Sequence, residues 1–164
     1  MTERSIVHVE VKAPIATVRM DGPDRHNVLD AEGWLALTEA FESLSSNDEV
    51  VCVAVRGTGG RAFSAGSDIA AFEEQRDSPD EVRKYSGVLS SAMDAVRAFP
   101  HPTVAIIEGI CVGGGLEIAA CCDLRVCGES SRFGAPINRL GLTMSHDELD
   151  PLLQLLGPGP LLEI

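Results

Sequence analysis

Gly113-Gly114-Gly115-Leu116-Glu117 is the stretch of this chain whose residue types and spacing best suit chemistry. It follows a strand-like apolar run, Thr103–Ile107, and opens a helix-like run, Ile118-Ala119-Ala120. Glycines put no side chain between the backbone amides and whatever those amides hold. A helix starting there points free N–H groups and a partial positive charge at its ligand. That suits an oxygen developing negative charge. Glu117, in the first helical turn, sets a carboxylate beside the oxygen site, so the stretch outlines an oxyanion hole with an acid/base next to it. The same residues also suit a plainer purpose: a tight strand-to-helix packing turn in which Glu117 only complements the helix dipole.

Other residues that invite a chemical reading are weaker. Ser67 has no G-x-S-x-G elbow around it, which argues against a serine nucleophile. His8, His26, His101 and His146 are scattered, and no metal site is expected from them. The five cysteines, Cys52, Cys111, Cys121, Cys122 and Cys127, are odd in number and contain no CxxC pair. Most lie in apolar patterns, so reduced, buried thiols are expected.

The elements that must position the glycine stretch alternate along the chain. Ile6–Glu10 and Ala16–Met20 alternate like a hairpin, and Asp21–Asp24 reads as a turn. Leu29, Trp34, Leu37, Phe41 and Leu44 recur at helical spacing as core positions. Val50–Val55 reads as a buried strand, and Phe63–Ile69 as a turn entering a short helix. Ser78 and Pro79 cap and open a helix to about Phe99. Asp123–Cys127 follows as a strand, with Asp123 anchoring a backbone turn. Ser131–Pro136 is a short strand or turn, and Asp147–Leu156 a helix with Pro151 in its first turn. Gly157–Pro160 breaks the pattern. Glu73-Glu74 and the Asp77–Glu81 cluster read as solvated surface. The order of elements predicts an α/β class.

The chain has 164 residues, enough for one domain over 1–164 with a real core. It is 45% apolar and 23% charged, with a formal net charge of −12. No basic stripe appears, which argues against nucleic acid and anionic membrane surfaces as partners. Met1–Ser5 leads straight into a strand pattern without a signal-peptide apolar region, and no apolar run approaches the ~20 residues of a transmembrane helix. A cytoplasmic protein is expected.

Four segments together resemble the crotonase superfamily, the enoyl-CoA hydratase/isomerase family. They are Pro23–Leu29; Phe63-Ser64-Ala65-Gly66-Ser67-Asp68-Ile69; His101–Ala105 through Gly113–Glu117 to Cys122-Asp123-Leu124; and Phe133-Gly134-Ala135-Pro136 followed by Leu140-Gly141-Leu142. The resemblance implies a ClpP/crotonase core of repeated ββα units and an acyl-CoA thioester substrate. It implies no tightly bound cofactor, coenzyme A being part of the substrate. It also implies homotrimers or homohexamers, provided the C-terminal helices are not essential to assembly. By the same resemblance, the backbone amides of Ser67 and Gly114 form the oxyanion hole and Glu117 is the catalytic acid/base. Ala65, Asp68 and Ile69 line the adenine pocket, Arg25 and Val28 lie along the CoA arm, and Pro136, Ile137 and Gly141 are further substrate-binding positions.

Two departures narrow this reading. Family hydratases carry a second glutamate where this chain has Ile137, which leaves Glu117 as the only mapped acid and favours proton shuttling over hydration. Asp147, Glu148 and Asp150 lie further on, but nothing local in the sequence places them in a pocket. The chain also ends where the family's C-terminal helices begin, so the core is expected to be incomplete there and to expose apolar surface. Acyl-CoA hydrolase or decarboxylase chemistry, or a catalytically silent truncated subunit, are the competing expectations.

Overall fold

Alternating apolar and polar residues drive the first two segments into an antiparallel hairpin, β1 (Ile6–Lys12) and β2 (Ile15–Asp21), with Val9 opposite Val18. The computed structural model describes residues 6–71, 78–141 and 143–164. Met1–Ser5, Glu73-Glu74, Asp77 and Leu142 therefore lie outside the described residues. Strand β2 pairs in parallel with β3 (Cys52–Gly57), β3 with β5 (Thr103–Ile107) and β5 with β7 (Leu124–Cys127), completing a sheet in the order β1-β2-β3-β5-β7.

Each of β3, β5 and β7 is followed within a few residues by a three-residue strand. These strands, β4 (Ala62–Ser64), β6 (Ile110–Val112) and β8 (Arg132–Gly134), form a separate parallel sheet. A helix then closes each pair: α2 (Pro79–Arg97), α3 (Gly114–Cys121) and α4 (His146–Leu156). The architecture is thus three ββα units, preceded by the hairpin and α1 (Ala31–Ser45).

Several local expectations need correction. Strand β6 stands between Thr103–Ile107 and the glycine triplet, and β4 occupies the start of the segment read as a turn. Pro151 is the sixth residue of α4, not part of its first turn. Its missing N–H withdraws one bond from the Asp147 carbonyl, and its buried ring beside buried Leu152 offsets that loss by packing. Gly157, at φ 70°, ends α4, but Pro158–Leu161 then forms a short helical turn, α5, rather than a plain break. Cys127, on the edge strand β7, is exposed because that edge leaves side chains uncovered, and Cys52, at the start of β3, is half-buried; only Cys111, Cys121 and Cys122 are buried. Burial pushes these three thiols up to about 12, so they are unreactive packing groups.

The core lies between one face of the large sheet and the helices. Val18, Met20, Val53, Val55, Ala105 and Ile107 are buried against Trp34, Leu37, Phe41, Ala92, Val96 and Ile118. Phe41 and Phe99 meet edge to face at 5.5 Å. Caps set the helix starts: Asp30 accepts from the Gly33 amide at 2.8 Å, and Ser78 from the Glu81 amide at 3.2 Å. Asp123 anchors the backbone as expected, accepting from the Thr103 amide and hydroxyl at 2.8 and 2.9 Å. Leu124 and Val126 on β7 are 58% and 61% exposed, leaving apolar surface at that edge of the sheet.

Asn27 ties three segments together. It is buried in the left-handed region at φ 55°, which asparagine tolerates better than most residues. Its amide nitrogen donates to the carbonyls of Thr58 and Ala62 at 3.1 and 2.8 Å, and its oxygen accepts from the Gly22 amide at 3.0 Å. Its own carbonyl accepts from the buried Ser64 hydroxyl at 2.8 Å. Asn27→Ala strands several of these groups, each costing ~1–3 kcal/mol. Chemical denaturation should show a loss of about 3 kcal/mol or more.

Candidate active site

Two loops leave the same end of the small sheet. The first follows β4 and runs Ala65-Gly66-Ser67-Asp68 into a 3-10 turn, Ile69–Ala71. The second is Gly113, which turns β6 into α3 at φ 52°. The backbone of the Asn27–Leu29 segment and its neighbour holds the first loop: the Ala65 amide donates to the His26 carbonyl at 2.9 Å, Leu29 to Gly66 at 2.8 Å and Asp68 to Leu29 at 2.9 Å. Because Leu29 bridges Ser67 in parallel by bonding its two neighbours, the Ser67 amide itself faces away from Leu29.

The loops touch through their glycines. A Cβ on Gly66, whose φ is 84°, would lie 2.5 Å from the Gly114 nitrogen. One on Gly115 would lie 2.2 Å from the Ser64 carbonyl oxygen, and one on Gly114 3.0 Å from the Trp34 indole. The triplet is therefore a packing turn, and its close packing is what sets the Gly114 amide beside the loop carrying Ser67. Trp34, read from the sequence as core only, also backs this turn, with its indole nitrogen donating to the Tyr85 hydroxyl at 3.1 Å.

A cavity of about 450 Å³ opens beside the two loops. Ala65, Ser67 and Ile69 of the first loop line it, as do Gly114 and Glu117 of the second. Pro136, Ile137 and Gly141 form a further wall, and Val82, Leu89 and Met144 add apolar surface. Arg25, Val28 and Asp68 do not line it. The Arg25 guanidinium donates to the Asp68 carboxylate, which also accepts from the Ala70 amide at 3.0 Å. Those two side chains brace the first loop. The lining includes no histidine that could activate Ser67.

Glu117 is 5% exposed, and its Oε2 has no hydrogen-bond partner among the described residues. Burial, and secondarily the nearby Glu148 carboxylate, push its pKa up to about 8. The side chain is therefore biased toward its protonated form and faces the cavity.

Glu148 is a cavity-lining carboxylate that sequence reasoning left unplaced. It lines the same cavity from the first turn of α4. Its Oε2 accepts from the Ser145 amide at 2.5 Å, in a capping box with the Ser145 hydroxyl. The S-x-x-E signature was available in Ser145–Glu148 and marks the helix start. Which cavity that start faces is a tertiary fact. Asp150 is exposed and accepts from the Gln154 side chain at 2.7 Å, and Asp147 is exposed; neither joins the cavity.

The geometry has counterparts in known proteins. The chain is 36% identical over 143 residues to "Probable enoyl-CoA hydratase 2, mitochondrial" of Arabidopsis thaliana, covering 87% of this chain and 47% of that one. It is 29% identical to the crotonyl-CoA hydratase of Syntrophomonas wolfei, covering 92% of this chain and 57% of that one. A crystal structure of an enoyl-CoA hydratase/carnithine racemase from Magnetospirillum magneticum superposes with a TM-score of 0.94 at 40% identity, over 99% of this chain and 61% of that one. The chain thus spans about half to three fifths of the length of these relatives. The family model for enoyl-CoA hydratase/isomerase matches residues 10–158, which include both loops, the Pro136–Ile137 wall and α4. The chain belongs to the enoyl-CoA hydratase/isomerase family.

Proposed function

We propose that the cavity takes an acyl-CoA thioester and that its chemistry runs through a thioester enolate. The observation carrying this reading is the pair of loops that sets the Gly114 amide against the Ser67 loop beside a buried, proton-bearing Glu117. Amides of Ser67 and Gly114 would hold the thioester oxygen as it gains charge, each donor being worth ~3 kcal/mol in the transition state. Glu117 moves a proton at the carbon next to the carbonyl. Coenzyme A arrives as part of the substrate, with Arg25 at the outer side of the first loop near its phosphates. Assembly into homotrimers or homohexamers and a cytoplasmic setting belong to the same reading, and the exposed Leu124 and Val126 supply apolar surface for such assembly.

The direct test is deuterium uptake at C2 of a saturated acyl-CoA in D₂O, followed by NMR. Exchange needs only an enolate and one acid/base, so it addresses the site independently of any later step. Uptake above the uncatalysed rate supports the reading; no uptake, with no heat of acyl-CoA binding in a calorimetric titration, rejects it.

Exchange is started by the ionised form of Glu117, so its rate should climb as pH rises through about 8. Glu117→Gln should lower exchange by about 100-fold or more. The same substitution should stabilise the fold at high pH. The unfolded carboxyl ionises near 4.5 while the folded one holds its proton to about 8. The unfolded state therefore binds fewer protons between those values, and wild-type stability falls as pH rises through that window. Urea denaturation should find Glu117→Gln more stable than wild type at pH 8, by roughly a few kcal/mol. At pH 4, where both states hold the proton, the difference should vanish. Gly66→Ala, which forces a Cβ onto the Gly114 nitrogen, should part the two donors and lower exchange by about 100-fold.

A further inference from the structure

We propose that Glu148 is the second carboxylate of this site and is the base that activates water, which makes the reaction the hydration of a 2-enoyl thioester. This rests on the thioester reading above and goes beyond it by naming the reaction and a second catalytic residue. Two carboxyl groups from different helices line one cavity, Glu117 from α3 and Glu148 from α4. Their surroundings differ. Glu117 is buried with an oxygen that has no partner among the described residues, whereas Glu148 is half-buried, open to water, and held in place by the Ser145 amide. The wall position Ile137 is apolar and offers no competing base. The electrostatic influence of Glu148 on Glu117 supports their proximity. Divergent environments assign divergent roles to paired carboxyl groups.

The step balances. Glu148 takes a proton from water as the water oxygen bonds to C3. The C2=C3 electron pair moves through the carbonyl carbon onto the thioester oxygen, between the amides of Ser67 and Gly114. The enolate collapses as the Glu117 carboxylic acid gives its proton to C2. Water's hydroxyl thus ends on C3, and the proton left on Glu148 returns to Glu117 through solvent.

Glu148→Gln provides the test, because a glutamine oxygen also completes the capping box and keeps the helix start intact. Two rates are compared in the intact chain: loss of the conjugated absorbance of a short 2-enoyl-CoA, and C2 exchange of a saturated acyl-CoA. Hydration in Glu148→Gln should fall by about 100-fold or more, while C2 exchange stays within about threefold of wild type, which also reports a folded site. The inference is overturned if the variant hydrates within about threefold of wild type, if both rates fall together, or if the wild-type chain exchanges C2 without hydrating. A wild-type chain that neither exchanges nor binds acyl-CoA overturns the thioester reading itself, and this inference with it.

Discussion

The contact between Gly66 and the start of α3 is the constraint on which the site depends. It brings two loops from separate ββα units within a distance that no Cβ allows. The contact exists because β4 and β6 share a sheet and run in parallel, so both loops leave the same end. Ligands of open parallel sheets generally sit beyond that carboxyl end. Everything else at the site acts to hold this arrangement. Asn27 and Ser64 fasten the first loop from behind, and the Trp34 indole backs the second. The Arg25–Asp68 pair braces the outer side.

The buried acid at the centre is a liability that the fold carries. A carboxyl group removed from water, with one oxygen unpartnered among the described residues and a second carboxylate facing the same cavity, is held against its ordinary ionisation. Such placement lowers stability over part of the pH range. The surrounding core tolerates it because α3 is otherwise wholly apolar or small, and every residue from Gly114 to Cys121 is buried.

Ile137 makes the wall near Pro136 apolar, and Glu148 lines the same cavity from α4. This carboxylate sits at a capped helix start. A backbone amide fixes its position there, and the same bond helps begin the helix.

Much of this was legible in the residues. Alternation marked the hairpin, and the long strand Thr103–Ile107 matches its expected bounds. Ser78-Pro79 placed the start of α2, and Leu29–Leu44 the apolar face of α1. The motif segments located Ser67, Gly114 and Glu117 at the cavity. Of the small sheet only β8 was read, as the short strand or turn at Ser131–Pro136; β4 and β6 were not, because strands of three residues are too short to show a period. Placing Glu148 failed for a different reason: its capping box is local, but the cavity it faces is made by packing α4 against α3. Sequence by itself determined the local choices, namely which residues cap, turn, alternate and bury. Only the tertiary structure decided which loops meet and which carboxyl groups share a cavity, because those depend on contacts between segments far apart in the chain that no local pattern encodes.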